Sequence, residues 1–332
     1  MLEIAVDGPA DVRLSDPAGR VLDGQLWQSG EVYVDLLPHS AEDTDVTVLI
    51  ACAEECTRKF TRYPIVMLHG LGAAGIFDGV DYFFGVRDRL EGRGYLVRNP
   101  SVDPFESTEV RAGQIAAILD GYLAEGIGPK LNLIAHSQGG LDARYLVGAM
   151  GWGDRIASID MIATPNRGTV IADVLSGTYA DGPVDEDLVD LGAAAFASLY
   201  GLEADGSLTT SISSLSTAAV AALNEAAPDD PRVYYSSWAG VSCALLDQDC
   251  QDAHGGETVE PLLDPLFLIA QAQGYENDGL VPVDSVPWGD HQGTIDADHA
   301  DEIGQFEDIE NPAFDHLAFY DAEIERLAGL GF

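Results

Sequence analysis

The stretch Leu131-Asn132-Leu133-Ile134-Ala135-His136-Ser137-Gln138-Gly139-Gly140 decides how the chain is read. A mostly apolar run leads into a serine boxed by small residues, and Leu141, Tyr145 and Leu146 continue at helical spacing. The pattern predicts a strand, a sharp turn and a helix. Such a turn lifts the Ser137 oxygen off the end of a sheet, and it needs small neighbours because the helix doubles back closely. Ala135 stands where this five-residue motif usually has its first glycine, a mild steric departure. The plainer alternative is an ordinary strand-to-helix turn that happens to carry Ser.

Outward from this turn, strands and helices alternate from about Tyr63, the signature of a mostly parallel sheet covered by helices. Pro64 to Leu68 reads as the first strand of that part, followed by the turn His69-Gly70-Leu71-Gly72. A helix is expected around Glu109 to Leu123, with Ile115, Ile118, Leu119 and Tyr122 on one face. Ile159 to Ala163 and Val233 to Ala239 read as further strands, and Ala322 to Leu330 as a short final helix. Residues 1–60 differ. Short β-branched runs (Leu2 to Val6, Val32 to Leu36, Val46 to Ile50) lie between Gly, Pro and Asp clusters, which suggests about four antiparallel strands in a small extension. The expected domains are therefore a β-rich segment 1–60 and a main domain 61–332.

The 332 residues hold 16 Lys and Arg against 56 Asp and Glu, a net charge of −40. That excludes nucleic-acid binding, which needs phosphates neutralised, and docking on anionic membranes. With 46% hydrophobic residues the chain can still bury a sizeable core. No apolar run is long enough for a membrane span, and no signal-peptide pattern opens the chain. The surface reads either as adapted to high salt or as a plain solvated acidic one, and self-repulsion predicts that added salt stabilises the fold. The cysteines form two close pairs, Cys52/Cys56 and Cys243/Cys250, and local disulfides are the simplest expectation; neither pair has zinc-knuckle spacing.

A serine hydroxyl becomes a nucleophile when a histidine takes its proton and a carboxylate orients that histidine. On this kind of elbow the chain order is Ser, acid, His. That order removes His39, His69, His136 and His254, and leaves His291, His299 and His316. Asp278 fits the acid, set among turn formers in Glu276-Asn277-Asp278-Gly279, though any one Asp in so acidic a chain is more often a solvated surface group. The backbone N–H groups of Leu71 and Gln138 are the natural donors for a developing oxyanion.

Taken together, several motifs resemble one family, in the right order from about Tyr63 to Ile309. They are Tyr63-Pro64-Ile65-Val66 with His69-Gly70, Val80 to Gly85, Ser107 to Arg111, the Ser137 elbow, Ala163 to Gly168, Asn277 to Val281 and His299 to Gln305. They are similar to the bacterial true lipases of family I, the pseudomonad-type triacylglycerol lipases. The resemblance implies an α/β-hydrolase fold with a lid helix at about 180–203, where Leu188, Val189, Leu191, Phe196, Leu199 and Tyr200 offer an apolar face; an ordinary core-facing helix would show the same face. It implies Ser137 as nucleophile, Asp278 as acid and His299 as base, with His316 the rival base. It also implies a structural Ca²⁺ on Asp264, Asp301, Gln305 and the backbone carbonyls of Gln305 and Ile309, all hard oxygen donors. The implied protein is secreted, acts on neutral acylglycerol esters at an oil–water interface, and can need a dedicated folding chaperone. A carboxylesterase of short soluble esters or polyesters is the alternative, and a catalytically dead binding protein a third reading. Two departures stand out: the family's disulfide cysteine falls near Asp284, and Gln138 replaces the frequent His after the nucleophile.

Overall fold

The computed structural model describes residues 60–72, 81–178, 186–199 (the Leu199 side chain excepted), 212–305 and 314–332, and as backbone alone residues 2–7, 10–15, 33–38 and 47–52. Two compact units result, Met1–Phe60 and Thr61–Phe332. In the first, β1 (Leu2–Asp7) and β2 (Ala10–Ser15) precede β3 (Tyr33–Pro38) and β4 (Thr47–Cys52). β1 pairs antiparallel with β4, and β2 antiparallel with β3.

The second unit runs β5 (Ile65–Leu68), α1 (Val86–Gly92), β6 (Val97–Arg98), α2 (Thr108–Ala124), β7 (Leu131–His136), α3 (Gln138–Gly148), β8 (Ile156–Ile162), α4 (Val170–Leu175), α5 (Glu186–Leu199) and α6 (Thr217–Ala226). Then follow β9 (Tyr234–Val241), α7 (Gln248–Ala253), α8 (Asp264–Gln271), β10 (Asp290–Asp296) and α9 (His316–Leu330). Six strands form one sheet in the order β10-β9-β8-β7-β5-β6, with every pairing parallel. β5, β7 and β8 are buried at every position, as strands covered on both faces must be.

Side-chain alternation divides the sheet residues between two cores. Val66, Leu68, Leu133 and Ala135 pack with Ile115 and Leu119 of α2 and Leu146 of α3. Ile65, Met67 and Ile134 face the other way, against Val86 and Leu90 of α1 and Tyr320, Ile324 and Leu327 of α9. Each such side chain, wholly withdrawn from water, contributes roughly 1.5–3 kcal/mol. A third cluster joins α4, α5, α6 and α8 to the loops at the carboxyl ends of the strands, where this fold class keeps its sites.

The last helix begins at His316, earlier than apolar spacing suggests, because the Asp315 carboxylate accepts the Ala318 N–H at 2.9 Å and caps it. β10 was not anticipated: Asp290, His291, Gln292 and Asp296 do not read as a strand, yet it pairs with β9 at the sheet edge, with a register shift between His291 and Gly293. Among the described residues no helix is long and apolar enough to cross a membrane.

Candidate active site

β7 delivers Ser137 into a backbone conformation that L-residues rarely adopt, φ 56° and ψ −130°. Such strain persists only where the surroundings hold it, and here they do. A Cβ on Gly139 would lie 2.6 Å from the Leu68 carbonyl oxygen, one on Gly140 would run into the Thr164 side chain, and one on Gly70 would lie 2.7 Å from the Ser137 Cβ. The small residues that flank Ser137 are thus demanded by close backbone approach. Ala135 is fully buried in the strand.

Asp278 and His299 meet. The His299 Nδ1–H donates to Asp278 Oδ2 at 2.8 Å, and the His299 N–H donates to the Asp278 carbonyl at 2.8 Å. The other carboxylate oxygen accepts the N–H groups of Leu280 (2.8 Å) and Val281 (2.6 Å), so the fully buried Asp278 is held as an acceptor on both sides. Ser137 and His299 line one pocket, together with Leu71. The rivals lie elsewhere: the His316 Nε2–H donates to the Phe84 carbonyl at 2.9 Å, and the exposed His291 bonds Ser237 Oγ at 3.0 Å.

The loop after β5 is clamped by a buried cation. Arg111 on α2 donates to the carbonyls of His69 (2.6 Å) and Asp103 (2.9 Å) and to Asp142 Oδ2 on α3 (2.7 Å). Arg111 and Asp142 have no exposed side-chain surface, and burial pushes the Asp142 carboxyl up to about 6 even with Arg111 beside it. Gln138 is buried; its Nε2 donates to the Glu106 carbonyl at 3.1 Å. Its own N–H opens α3 and has no intrahelical acceptor.

The sequence at 32% identity over 270 residues matches the triacylglycerol lipase of Vibrio cholerae, spanning 73% of this chain and 80% of that one. The chain belongs to the bacterial triacylglycerol lipases. It is a carboxylic ester hydrolase of the α/β-hydrolase type. The lipase is also 32% identical over 178 residues to the triacylglycerol lipase of Pseudarthrobacter phenanthrenivorans, a match spanning 51% of this chain and 54% of that one. The crystal structure of the mature Bacillus licheniformis lipase, at 19% identity, superposes with a TM-score of 0.55 over 76% of this chain and 90% of that one, a likeness of fold. No family model matches the chain.

Behind the lipase's Asp278–His299 pair lies a network that sequence order discarded. The Tyr82 hydroxyl bonds His136 Nδ1 at 2.8 Å, and His136 Nε2 bonds Glu302 Oε2 at 2.8 Å. That same carboxylate oxygen stands 3.7 Å from His299 Nδ1. Burial, then repulsion from Asp278, Asp298, Asp301 and Glu257, pushes the Glu302 carboxyl well above its usual range, while burial and then His299 push His136 well down. The adjacency of His136 to Ser137 and the i, i+3 spacing of His299 and Glu302 were the available signals.

Of the expected Ca²⁺ ligands, Asp301 lies in a cluster of carboxylates among the described residues. The carboxylates that converge, with oxygens within 4.8 Å of one another, are Glu257, Asp298 and Asp301. Asp264 is not among them: it opens α8 and interacts with the Leu245 N–H. Gln305 is buried and donates its side-chain amide to the carbonyls of Asp81 (2.8 Å) and Tyr82 (2.7 Å). Ile309 lies outside the described residues. Glu257 and Asp298 are buried and Asp301 partly so, and burial raises the Asp298 carboxyl. Three crowded carboxylates, two of them withdrawn from water, are the donor set a hard divalent cation takes.

α5 brings Phe196 into the pocket, beside Ile171, Leu175 and Ile212. Leu188 and Val189 pack partly buried on the same core, whereas Leu191 is 55% exposed. Residues 179–185 and 200–211, which include Tyr200, lie outside the described residues. Cys243 and Cys250 form a disulfide; Cys56 of the other pair lies outside the described residues. Position 284, where the family's disulfide cysteine would fall, is Asp, on a short helical turn.

Proposed function

We propose that the lipase cleaves acylglycerol esters with Ser137 as nucleophile, His299 as general base and Asp278 as the orienting acid. The observation that carries this reading is the 2.8 Å bond from His299 Nδ1 to a fully desolvated Asp278, on a ring that shares an apolar pocket with Ser137. With Nδ1 engaged, Nε2 is the nitrogen left to take the serine proton. Ser137 Oγ attacks the ester carbonyl, and the oxyanion is met by the N–H groups of Leu71 and Gln138. His299 then protonates the departing alcohol. Water, activated by the same ring, releases the acid from the acyl-serine.

The pocket wall of Leu71, Ile171, Leu175, Phe196 and Leu280 suits an alkyl chain. α5 is read as the lid, because its Phe196 occupies the pocket while Leu191 stays in water. Glu257, Asp298 and Asp301 would hold Ca²⁺, which supplies charge neutralisation beneath the His299 turn and takes no part in bond making. An extracellular location agrees with the Cys243–Cys250 disulfide. Refolding the purified chain alone tests the need for a dedicated chaperone.

A chain-length profile decides the substrate class. Hydrolysis of emulsified triolein is expected to rise steeply above its solubility limit, and Ser137→Ala to lose activity by at least about 10⁴-fold. Simple saturation on soluble butyrate esters alone would make the protein a short-chain carboxylesterase. A serine-directed phosphonate that fails to label Ser137 would remove the mechanism.

A further inference from the structure

His69 is excluded from the triad by chain order, yet both of its ring nitrogens are engaged by backbone in the buried loop beside Ser137. The Val102 N–H lies 3.1 Å from His69 Nε2. A backbone N–H can only donate, so Nε2 is the bare nitrogen. The neutral ring then carries its single proton on Nδ1, which donates to the Gly70 carbonyl at 2.9 Å. Burial, and after it the charge of Arg111, holds the ring's pKa down to about 4, so it stays neutral at the pH where an ester hydrolase of this kind is assayed.

The consequence follows from the peptide plane. The Gly70 carbonyl and the Leu71 N–H belong to one peptide unit, which is trans, so the two point in opposite directions. Holding the oxygen toward His69 turns the N–H away from it, and Leu71 lines the pocket shared by Ser137 and His299. Nothing in Gly70 itself fixes this orientation. The residue must lack a Cβ, because one would lie 2.7 Å from that of Ser137, and without a Cβ the unit rotates at little cost. The preceding unit is tied separately, through Arg111 to the His69 carbonyl at 2.6 Å.

We propose that His69 is a positioning residue for ester hydrolysis: its Nδ1–H bond to the Gly70 carbonyl aims the Leu71 N–H at the oxygen that turns negative when Ser137 attacks. A flipped unit would present a carbonyl dipole to that oxygen instead of a donor. The proposal rests on the assignment of Ser137 and Leu71 made above.

Two substitutions separate aiming from mere bracing. In His69→Asn the side-chain amide N–H takes the place of Nδ1–H, and the reach to Val102 is lost. In His69→Gln the side-chain oxygen reaches the Val102 N–H, and the donor to Gly70 is lost. At pH 8, kcat and KM on p-nitrophenyl butyrate, the melting temperature, and the rate at which a p-nitrophenyl phosphonate labels Ser137 are measured for both variants and the wild type. The glutamine variant is expected to lose about 10- to 100-fold in kcat and in labelling rate, less than outright loss of a donor. Its KM should stay within about twofold, and its melting temperature near that of the wild type. The asparagine variant is expected to keep kcat within about fivefold although it melts lower. Wild-type rates in the glutamine variant, or losses in both variants that simply track melting temperature, overturn the proposal and leave the nucleophile standing. Failure of the wild type to label at Ser137 removes the nucleophile, and this proposal with it.

Discussion

The two flanks of the Ser137–His299 pocket are built on opposite electrostatic plans. On the oxyanion side, one buried cation meets one buried anion, Arg111 and Asp142, and a neutral His69 has a backbone partner for each ring nitrogen. On the acid side, Asp278, Asp298, Glu302 and Glu257 are all buried within one small region, with Asp301 at its edge. Burial and mutual repulsion lift Asp298 and Glu302. The first flank is complete in the chain itself. The second gathers carboxylates, and Ca²⁺ is the cation proposed above to offset them.

The sharpest way to break this contrast is to unbalance the complete side. Arg111→Met leaves Asp142 as an uncompensated buried carboxylate, which costs about 3–5 kcal/mol. Thermal unfolding should then come about 10 °C lower, with kcat falling further than KM rises. The opposite flank is expected to answer to calcium. Titration with Ca²⁺ to about 100 times its Kd should add roughly 2.7 kcal/mol, and EDTA should remove it. Glu257→Gln should abolish that response in a thermal shift assay, whereas Asp264→Asn should keep it; the reverse result would favour the ligand set that the family resemblance implies.

A third test uses pH. Unfolded, His69 titrates near 6.5; folded, it refuses the proton until about 4. The unfolded chain therefore binds more protons in that window, and the contribution of this residue falls as pH drops through it. Near pH 5 the wild type should have lost about 2 kcal/mol more than His69→Gln, relative to pH 8. Equal losses in the two proteins, followed by denaturant melts, would contradict a buried neutral ring. The smallest effect expected is general: at −40 net charge, molar NaCl should raise the melting temperature by a few degrees through screening.

What the sequence made legible follows the same division. The elbow could be read because strained backbone and close helix approach admit only small residues at Gly139 and Gly140, which leaves a compositional mark. The parallel strands could be read because burial on both faces makes them mostly apolar. The acidic flank could not. With 56 acidic residues, linear spacing cannot tell that the loop bearing Glu257 folds back to Asp298 and Asp301; Asp264, which the family resemblance implies as a ligand, heads a helix. Tyr82, His136 and Glu302 were passed over for a related reason: each is an ordinary residue whose role comes from being buried beside another.

The edge of the sheet carries one more consequence. β10, an edge strand among the described residues, ends in Asp290 and Asp296 and carries a register shift between His291 and Gly293, two features that discourage edge-to-edge pairing. Concentrated brine disables the first and leaves the second. Conditions expected to protect the lipase against heat thus leave the register shift beside Gly293 as the edge feature that salt does not weaken.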